Sequence, residues 1–330
     1  MAKFYYGGQA VMEGVMMRGQ RSAAVAIRCP DDSIYVHEEA LIPRLYQNRV
    51  FRLPFLRGIL LLWEVLVLGT RLMMFSANVA TGALNPGATG ASESAAPEAF
   101  SDDGAAVPFE GEGKLESPPQ IGGVALVLSL LLSLGFAVLV FFLGPLFITS
   151  LLRRQIGTGW LNLALEGIIR LALLVCYLYV IGRVPDIERV FGYHGAEHKA
   201  INAMERGDPL DVAHVRRASR VHTRCGTGFL LIVMVVSIFV FALVGSPPLP
   251  IKVISRIALI PVVAGIAYEL MRLGAANYRY RVVKWLLAPG LALQGLTTRE
   301  PDDSMIECAI AALQRVVQRD RVEADRARSA

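Results

Sequence analysis

Four long apolar runs constrain this chain more than any other feature. They occupy residues 121–149, 161–182, 228–246 and 251–272. Each supplies about 20 residues, roughly what a hydrocarbon core of about 30 Å demands of a spanning helix. The composition agrees: 54% of the 330 residues are hydrophobic, 18% are charged, and the mean hydropathy is +0.47. The expected fold class is an α-helical integral membrane protein with about four transmembrane helices, a small N-terminal cytoplasmic β-containing region and a C-terminal amphipathic helix.

Loop charges set the expected orientation. The segment between the second and third runs carries Arg183, Arg189, Lys199, Arg206, Arg216, Arg217, Arg220 and Arg224, and the front region and tail are also Arg-rich. With four spans these regions share one side, which the positive-inside rule makes cytoplasmic. Arg153 and Arg154 fall on the other side, in a short loop. Both termini are then cytoplasmic, in a bacterial inner membrane. The start, MAKFYYGGQA, has no basic-then-apolar leader, so insertion is expected to use the internal helices. Cys29, Cys176, Cys225 and Cys308 follow no disulfide spacing, which suits a reducing compartment.

Seven segments follow. Residues 1–52 hold a glycine-rich, tightly turned stretch and then a β-hairpin of SAAVAIRC and SIYVHEEA about Pro30, Asp31 and Asp32. Residues 53–84 form an amphipathic or re-entrant helix, with Arg57, Glu64 and Arg71 spaced seven apart on one face. A core helix of the front region and a true span are the alternatives there. Residues 85–119 carry seven carboxylates against Lys114 and read as an acidic disordered linker. The first transmembrane hairpin (120–182), a cytoplasmic loop (183–227) and the second hairpin (228–272) come next. An interfacial segment and C-terminal helix (273–330) close the chain. In that helix Ser304 and Glu307 spell a capping box, and Ile306, Ile310, Leu313 and Val317 form a stripe to dock on the front region.

Chemistry concentrates in the cytoplasmic loop. Tyr193-His194-Gly195-Ala196-Glu197-His198 fits H-x-x-E-H. On a helix, residues four apart lie one turn above each other, so both imidazoles can reach one metal, with Glu197 beside them as general base or acid. A helix from His194 to Arg206 is expected, closed by Gly207, with Asp208-Pro209 capping a second short helix. His222 and Cys225 follow at a spacing of three, and Glu269 returns to the same level near the end of the fourth run. Two ligand sets are open: His194, His198 and a carboxylate (Glu269 or Glu205), or a set completed by His222 or Cys225. A catalytic zinc has three protein ligands and one open position, whereas a closed set is structural. A divalent metal, zinc first, is the expected cofactor. Each residue also has a plainer reading: carbonyl-bonded histidines, a buried small Cys225, and a Glu269 paired with Arg272. Arg216, Arg217, Arg220 and Arg224 read as a lipid-facing basic patch or a phosphate contact. No segment interleaves basic residues with stacking aromatics, so nucleic acid is not an expected partner.

GGQAVMEGVMMRG, RGILLLWEVLVLG, YHGAEHKAINAME, HTRCGTGFLLIVM, PVVAGIAYELMRLG and LTTREPDDSMIECAIAAL resemble the YqhQ-like bacterial membrane family, in order and over nearly the whole chain apart from the acidic linker. That family is largely uncharacterised and is described as predicted metal-dependent enzymes. The resemblance implies a bacterial cytoplasmic membrane protein and suggests metal dependence. Thr223 and Gly228 depart from the family's Pro and Ser, and neither position is an expected ligand.

Three functions are compatible with these residues. The first is a membrane-embedded metal-dependent hydrolase acting at the cytoplasmic interface, on a peptide or lipid-linked substrate. The second is a non-catalytic, metal-stapled scaffold that binds a lipid, or a protein partner through its N-terminal region or C-terminal helix. The third, a transporter, is disfavoured because few charged residues, Glu166, Arg170 and Glu269 among them, lie within the runs and no inverted repeat is visible.

Overall fold

The computed structural model describes residues 6–41, 53, 55–82, 123–152, 157, 160–245 and 247–329. The expected acidic linker and Arg153 and Arg154 lie outside the described residues, as does the side chain of Glu64. The strands are β1 (Gly7–Val11), β2 (Gly14–Arg18), β3 (Ser22–Arg28) and β4 (Ile34–Ala40). The helices are α1 (Leu56–Ala80), α2 (Gly123–Val138), α3 (Gly144–Leu151), α4 (Trp160–Ile181), α5 (Pro185–Arg206) and α6 (Val212–Arg216). They continue with α7 (Gly226–Leu243), α8 (Leu249–Ala258), α9 (Ile260–Ala276), α10 (Arg281–Thr297) and α11 (Asp303–Ser329).

The four strands form one antiparallel meander in the order β1-β2-β3-β4. The glycine-rich stretch, expected to be irregular, is instead its first hairpin, with Gly8 opposite Met17 and Val11 opposite Gly14. Gly8 and Gly14 serve close approach. A Cβ on Gly14 would stand 2.2 Å from the carbonyl oxygen of Ala26 on β3. Glu13 takes a positive φ of 49° in the tight turn. Its carboxylate is gripped by Arg189, with Nε at 2.6 Å, and accepts from the Tyr193 hydroxyl at 3.2 Å. These bonds hold the Glu13 carboxyl below its usual range, the Arg189 bond first and against the opposing effect of burial.

The sheet is the middle of three layers. Val15, Met17, Ala24 and Ala26 point to α5 and α11, where they meet Tyr193, Ile306 and Leu313. Met16, Ala23, Val25 and Ile27 point to α1, where they meet Leu68, Leu72 and Val79. Burial on both faces explains why β3 reads as an unbroken apolar run rather than an alternating one. Met16 and Met17 are packing residues on opposite faces of the sheet. One face of α1 packs on the sheet through these residues. Its opposite face exposes Trp63 and Leu66.

The second body is a helical bundle with a core of Phe141, Phe142, Leu174, Leu178, Met234, Phe241, Val263 and Ala267. Among the described residues, Val127–Leu151, Leu161–Ile181 and Gly226–Leu243 are long and apolar enough to cross a membrane. Pro250–Ala258 and Ile260–Ala276 make a fourth only as a pair bent by 41°. The run 251–272 therefore does not form one straight helix. Pro261, in the first turn of α9, cannot donate a backbone hydrogen bond and clashes with a preceding turn, so the helix restarts there. A π turn, Leu139–Leu143, joins α2 to α3.

Two caps differ from expectation. α11 is capped by Asp302, whose Oδ1 accepts from the Met305 N–H at 2.9 Å and the Ser304 hydroxyl at 2.6 Å. Glu307 turns away to Arg28 at 2.8 Å, so no Ser304–Glu307 box forms. α6 is capped by Asp211, which accepts from the His214 N–H at 2.8 Å, and not by Asp208. The docking of α11 on the sheet through Ile306, Ile310 and Leu313 is as the stripe predicted.

Candidate metal centre

α5 is longer than the H-x-x-E-H segment suggested: it begins at Pro185, a favoured first-turn residue, with Asp186 and Glu188 at its positive end. It ends at Gly207 in the left-handed conformation, φ 81°, as its sequence predicted. Three carbonyls, one at the end of α6 and two in the coil after it, accept from one face of α5. Lys199 Nζ donates to Arg216 O at 2.7 Å, and Asn202 Nδ2 donates to Ser219 O at 2.7 Å and Val221 O at 3.0 Å. From α10, Gln294 completes the job: its Oε1 accepts from the His222 N–H at 3.0 Å and its Nε2 donates to the His222 carbonyl at 2.8 Å. A buried coil needs such partners for its backbone, and here they fix its path past the histidines.

Both histidines of the motif are oriented by backbone carbonyls. His194 Nδ1 lies 2.8 Å from the Thr297 carbonyl, and His198 Nδ1 lies 2.5 Å from the Arg220 carbonyl. A carbonyl can only accept, so each Nδ1 carries a hydrogen, and in the neutral ring Nε2 is the atom with the lone pair. The rings sit edge to face with centroids 4.4 Å apart. Cys225 Sγ is 3.4 Å from His194 Nε2. Cys225 is also the N-cap of α7, its sulfur accepting from the Thr227 N–H at 3.4 Å.

One ligand atom from each of His194, His198 and Cys225 lies within 4.8 Å of the others. Ligands of a tetrahedral zinc, bound at roughly 2.0–2.3 Å, stand roughly 3.3–3.8 Å apart. The pair His194–Cys225 already meets this, and the third atom needs a shift of about an ångström. Two imidazole nitrogens and one sulfur, two of the three residues buried, form a donor set suited to a borderline-soft divalent ion. Glu197 is buried beside them, its Oε2 3.8 Å from His194 Nε2 and 4.0 Å from His198 Nε2. Those gaps exceed a hydrogen bond.

The remaining expected residues divide. His222 packs beside His198, centroids 5.6 Å apart, but its Nε2 receives Arg224 Nη2 at 3.2 Å. Glu205 pairs with Arg224 and lies 3.9 Å from His222. Burial raises the Glu205 carboxyl, and the His222 and Arg224 contacts outweigh it to leave a net lowering. Glu269 is held by Arg57 through Nε at 2.8 Å and by a shorter contact from Nη2, so it serves the α1–α9 contact. Nor do the four arginines form one open basic patch. Arg216 pairs with Asp303, Arg220 with Glu300 at 3.1 Å and Arg224 with Glu205, while Arg217 is exposed.

Sequence reasoning missed Gln294, the Thr297 and Arg220 carbonyls, and Gly8. Backbone carbonyls leave no trace in residue identity. Gln294 did leave one, being a polar side chain in an apolar helix, where such residues have a partner to serve.

A family model described as "Protein of unknown function (DUF1385)" matches residues 53–319. The chain is 38% identical over 320 residues to "Uncharacterized protein YqhQ" of Bacillus subtilis (strain 168), covering 95% of this chain and 92% of that relative. No solved structure matches. The chain therefore belongs to the DUF1385 family, the group that includes YqhQ.

Proposed function

We propose that this protein is a metal-dependent enzyme of the bacterial cytoplasmic membrane, hydrolytic in chemistry, with His194, His198 and Cys225 as ligands and Glu197 as general base. The observation that carries the reading is the carbonyl bonding of both Nδ1 atoms, the arrangement by which proteins aim metal-binding imidazoles. When bound, a divalent ion supplies Lewis acidity, polarising a scissile group and acidifying water toward about pH 7. Glu197 takes the proton of the attacking water at its Oε2 and passes it to the leaving group. Burial of His198, Glu197 and Cys225 limits bulk water. Membrane insertion is supported by Leu131, Leu132, Phe239 and Leu243, which stand exposed on the outside of the bundle. The Arg-rich side, which includes the metal centre and both termini, is read as cytoplasmic. Substrates are then peptides or lipid-linked molecules met at that interface.

The protein, purified in detergent without a His tag, is expected to hold about one equivalent of a transition metal by elemental analysis. The double change His194→Ala and His198→Ala is expected to remove it. Absence of metal above background after reconstitution would sink the reading. The burial of the site also favours a second reading, a metal-stapled scaffold. Glu197→Gln separates the two: an enzyme keeps its metal and loses complementation of a deletion strain, whereas a scaffold keeps both.

A further inference from the structure

A second cluster of charges lies inside the bundle, well away from the histidines. Arg170 on α4 meets Ser237 on α7, which is 12 residues past Cys225, or roughly 18 Å along the helix. Glu166 is its centre. Arg170 Nη2 stands 2.9 Å from Glu166 Oε1, Arg256 Nη2 stands 3.1 Å from the same oxygen, and Lys252 Nζ is 3.8 Å from Oε2. Arg170 and Arg256 are each 1% exposed. Three cations thus surround one carboxylate in an apolar core. Arginine does not lose its proton in proteins, so the surplus cannot be removed by neutralising both guanidinium groups.

The two arginines are used differently. Arg170 is fully engaged: Nε donates to the Phe141 carbonyl in the π turn at 2.9 Å, Nη1 to Ser237 Oγ at 2.7 Å and Nη2 to Glu166. Arg256 is not. Its Nη2 reaches Glu166, its face lies 4.0 Å from the Phe241 ring centroid, and its Nε and Nη1 are buried without a hydrogen-bond partner among the described residues. Leaving two charged donors unmatched in low dielectric is strongly unfavourable unless an acceptor joins them.

We propose that Arg256 and Lys252, on the framework of Glu166 and Arg170, bind a phosphate-type oxyanion. Nε and Nη1 lie on different edges of the guanidinium, so an oxyanion accepts from one of them and takes the charge of Lys252 beside it. Lys252 precedes Arg256 by one turn of α8 and is the more exposed of the two, so it marks the way in. Ile251, Ile254 and Ile257 expose the other flank of α8 to the surroundings, as a short helix at a headgroup boundary would. The proposal stands apart from the metal reading and survives its failure.

The oxyanion could come from a phospholipid headgroup or from free phosphate, and the test separates them. Full-length protein, delipidated in detergent, is reconstituted into phosphatidylcholine nanodiscs with or without phosphatidylglycerol. In parallel it is titrated with inorganic phosphate at fixed ionic strength. Phosphatidylglycerol is expected to raise the unfolding midpoint by several degrees, and Arg256→Gln and Lys252→Met are expected to reduce that rise. A rise with inorganic phosphate instead, lost in the same variants, assigns the free anion. No rise with either probe overturns the proposal, as does a rise that Lys252→Met leaves undiminished. The Lys252 variant decides if Arg256→Gln does not fold.

Discussion

Gly8 of β1 lies against Glu197 of α5: a Cβ at position 8 would stand 2.7 Å from Glu197 Cγ and 2.7 Å from the Met16 carbonyl oxygen. The Glu197 side chain could move, but the carbonyl belongs to the neighbouring strand and could not do so cheaply. Gly8→Ala is therefore expected to cost about 1–3 kcal/mol of stability by overpacking. It should also displace Glu197. Denaturant unfolding reads the first effect and metal affinity the second. A wild-type result in both would show that this contact is loose.

Gln294 holds both backbone groups of His222, and with them the coil that carries Arg220 and Cys225. Gln294→Leu keeps the volume and strands two buried backbone groups. The expected loss is about 2–4 kcal/mol of stability, with metal affinity falling about tenfold or more. Competition with a chelator of known affinity measures the second quantity.

Glu269 belongs to the α1–α9 contact through Arg57. Glu269→Gln is expected to cost about 1–3 kcal/mol, the range for a charge-assisted hydrogen bond, and to make α1 more accessible to protease. Metal content should stay at the wild-type level. A parallel loss of metal would restore Glu269 to the ligand set.

Burial pushes the Cys308 thiol from 9.0 up to about 12. In the unfolded chain this thiol ionises near pH 9, while in the folded protein it stays protonated until near pH 12. Its contribution is complete below pH 9 and is lost as the pH climbs through that window, by about 1.4 kcal/mol per unit at the steepest. Cys308→Ala should flatten the alkaline side of the stability profile. In the native protein at pH 8, Cys308 should also resist alkylation.

The apolar runs and the i, i+4 histidines were legible because each follows a helical period. Cys225 was legible as one of several candidates, since spacing alone could not choose among it, His222, Glu205 and Glu269. What selects Cys225 is the coil between α6 and α7, whose path depends on Lys199, Asn202 and Gln294 bonding carbonyls that any residue would supply. The glycines of β1 and β2 misled for a related reason. Glycine signals a turn when local geometry demands it, but at Gly8 and Gly14 the demand comes from neighbours distant in the chain, Glu197 and Ala26. The capping box failed because Arg28 competes for Glu307 and Asp302 offers a cap one residue before α11.

The docking of α11 on β2 and β3 also fixes an order of events in biogenesis. β3 leaves the ribosome long before α11; Arg28 and Glu307, which join them, are 279 residues apart. Until α11 emerges, the face of the sheet that holds Val15, Met17, Ala24 and Ala26 lacks its α11 cover. The nascent chain must therefore carry a sticky, half-finished sheet through the synthesis of the bundle, at risk of pairing with other chains. A chain cut short before residue 303 would never close it, so quality control can tell finished molecules from unfinished ones by that one exposed surface.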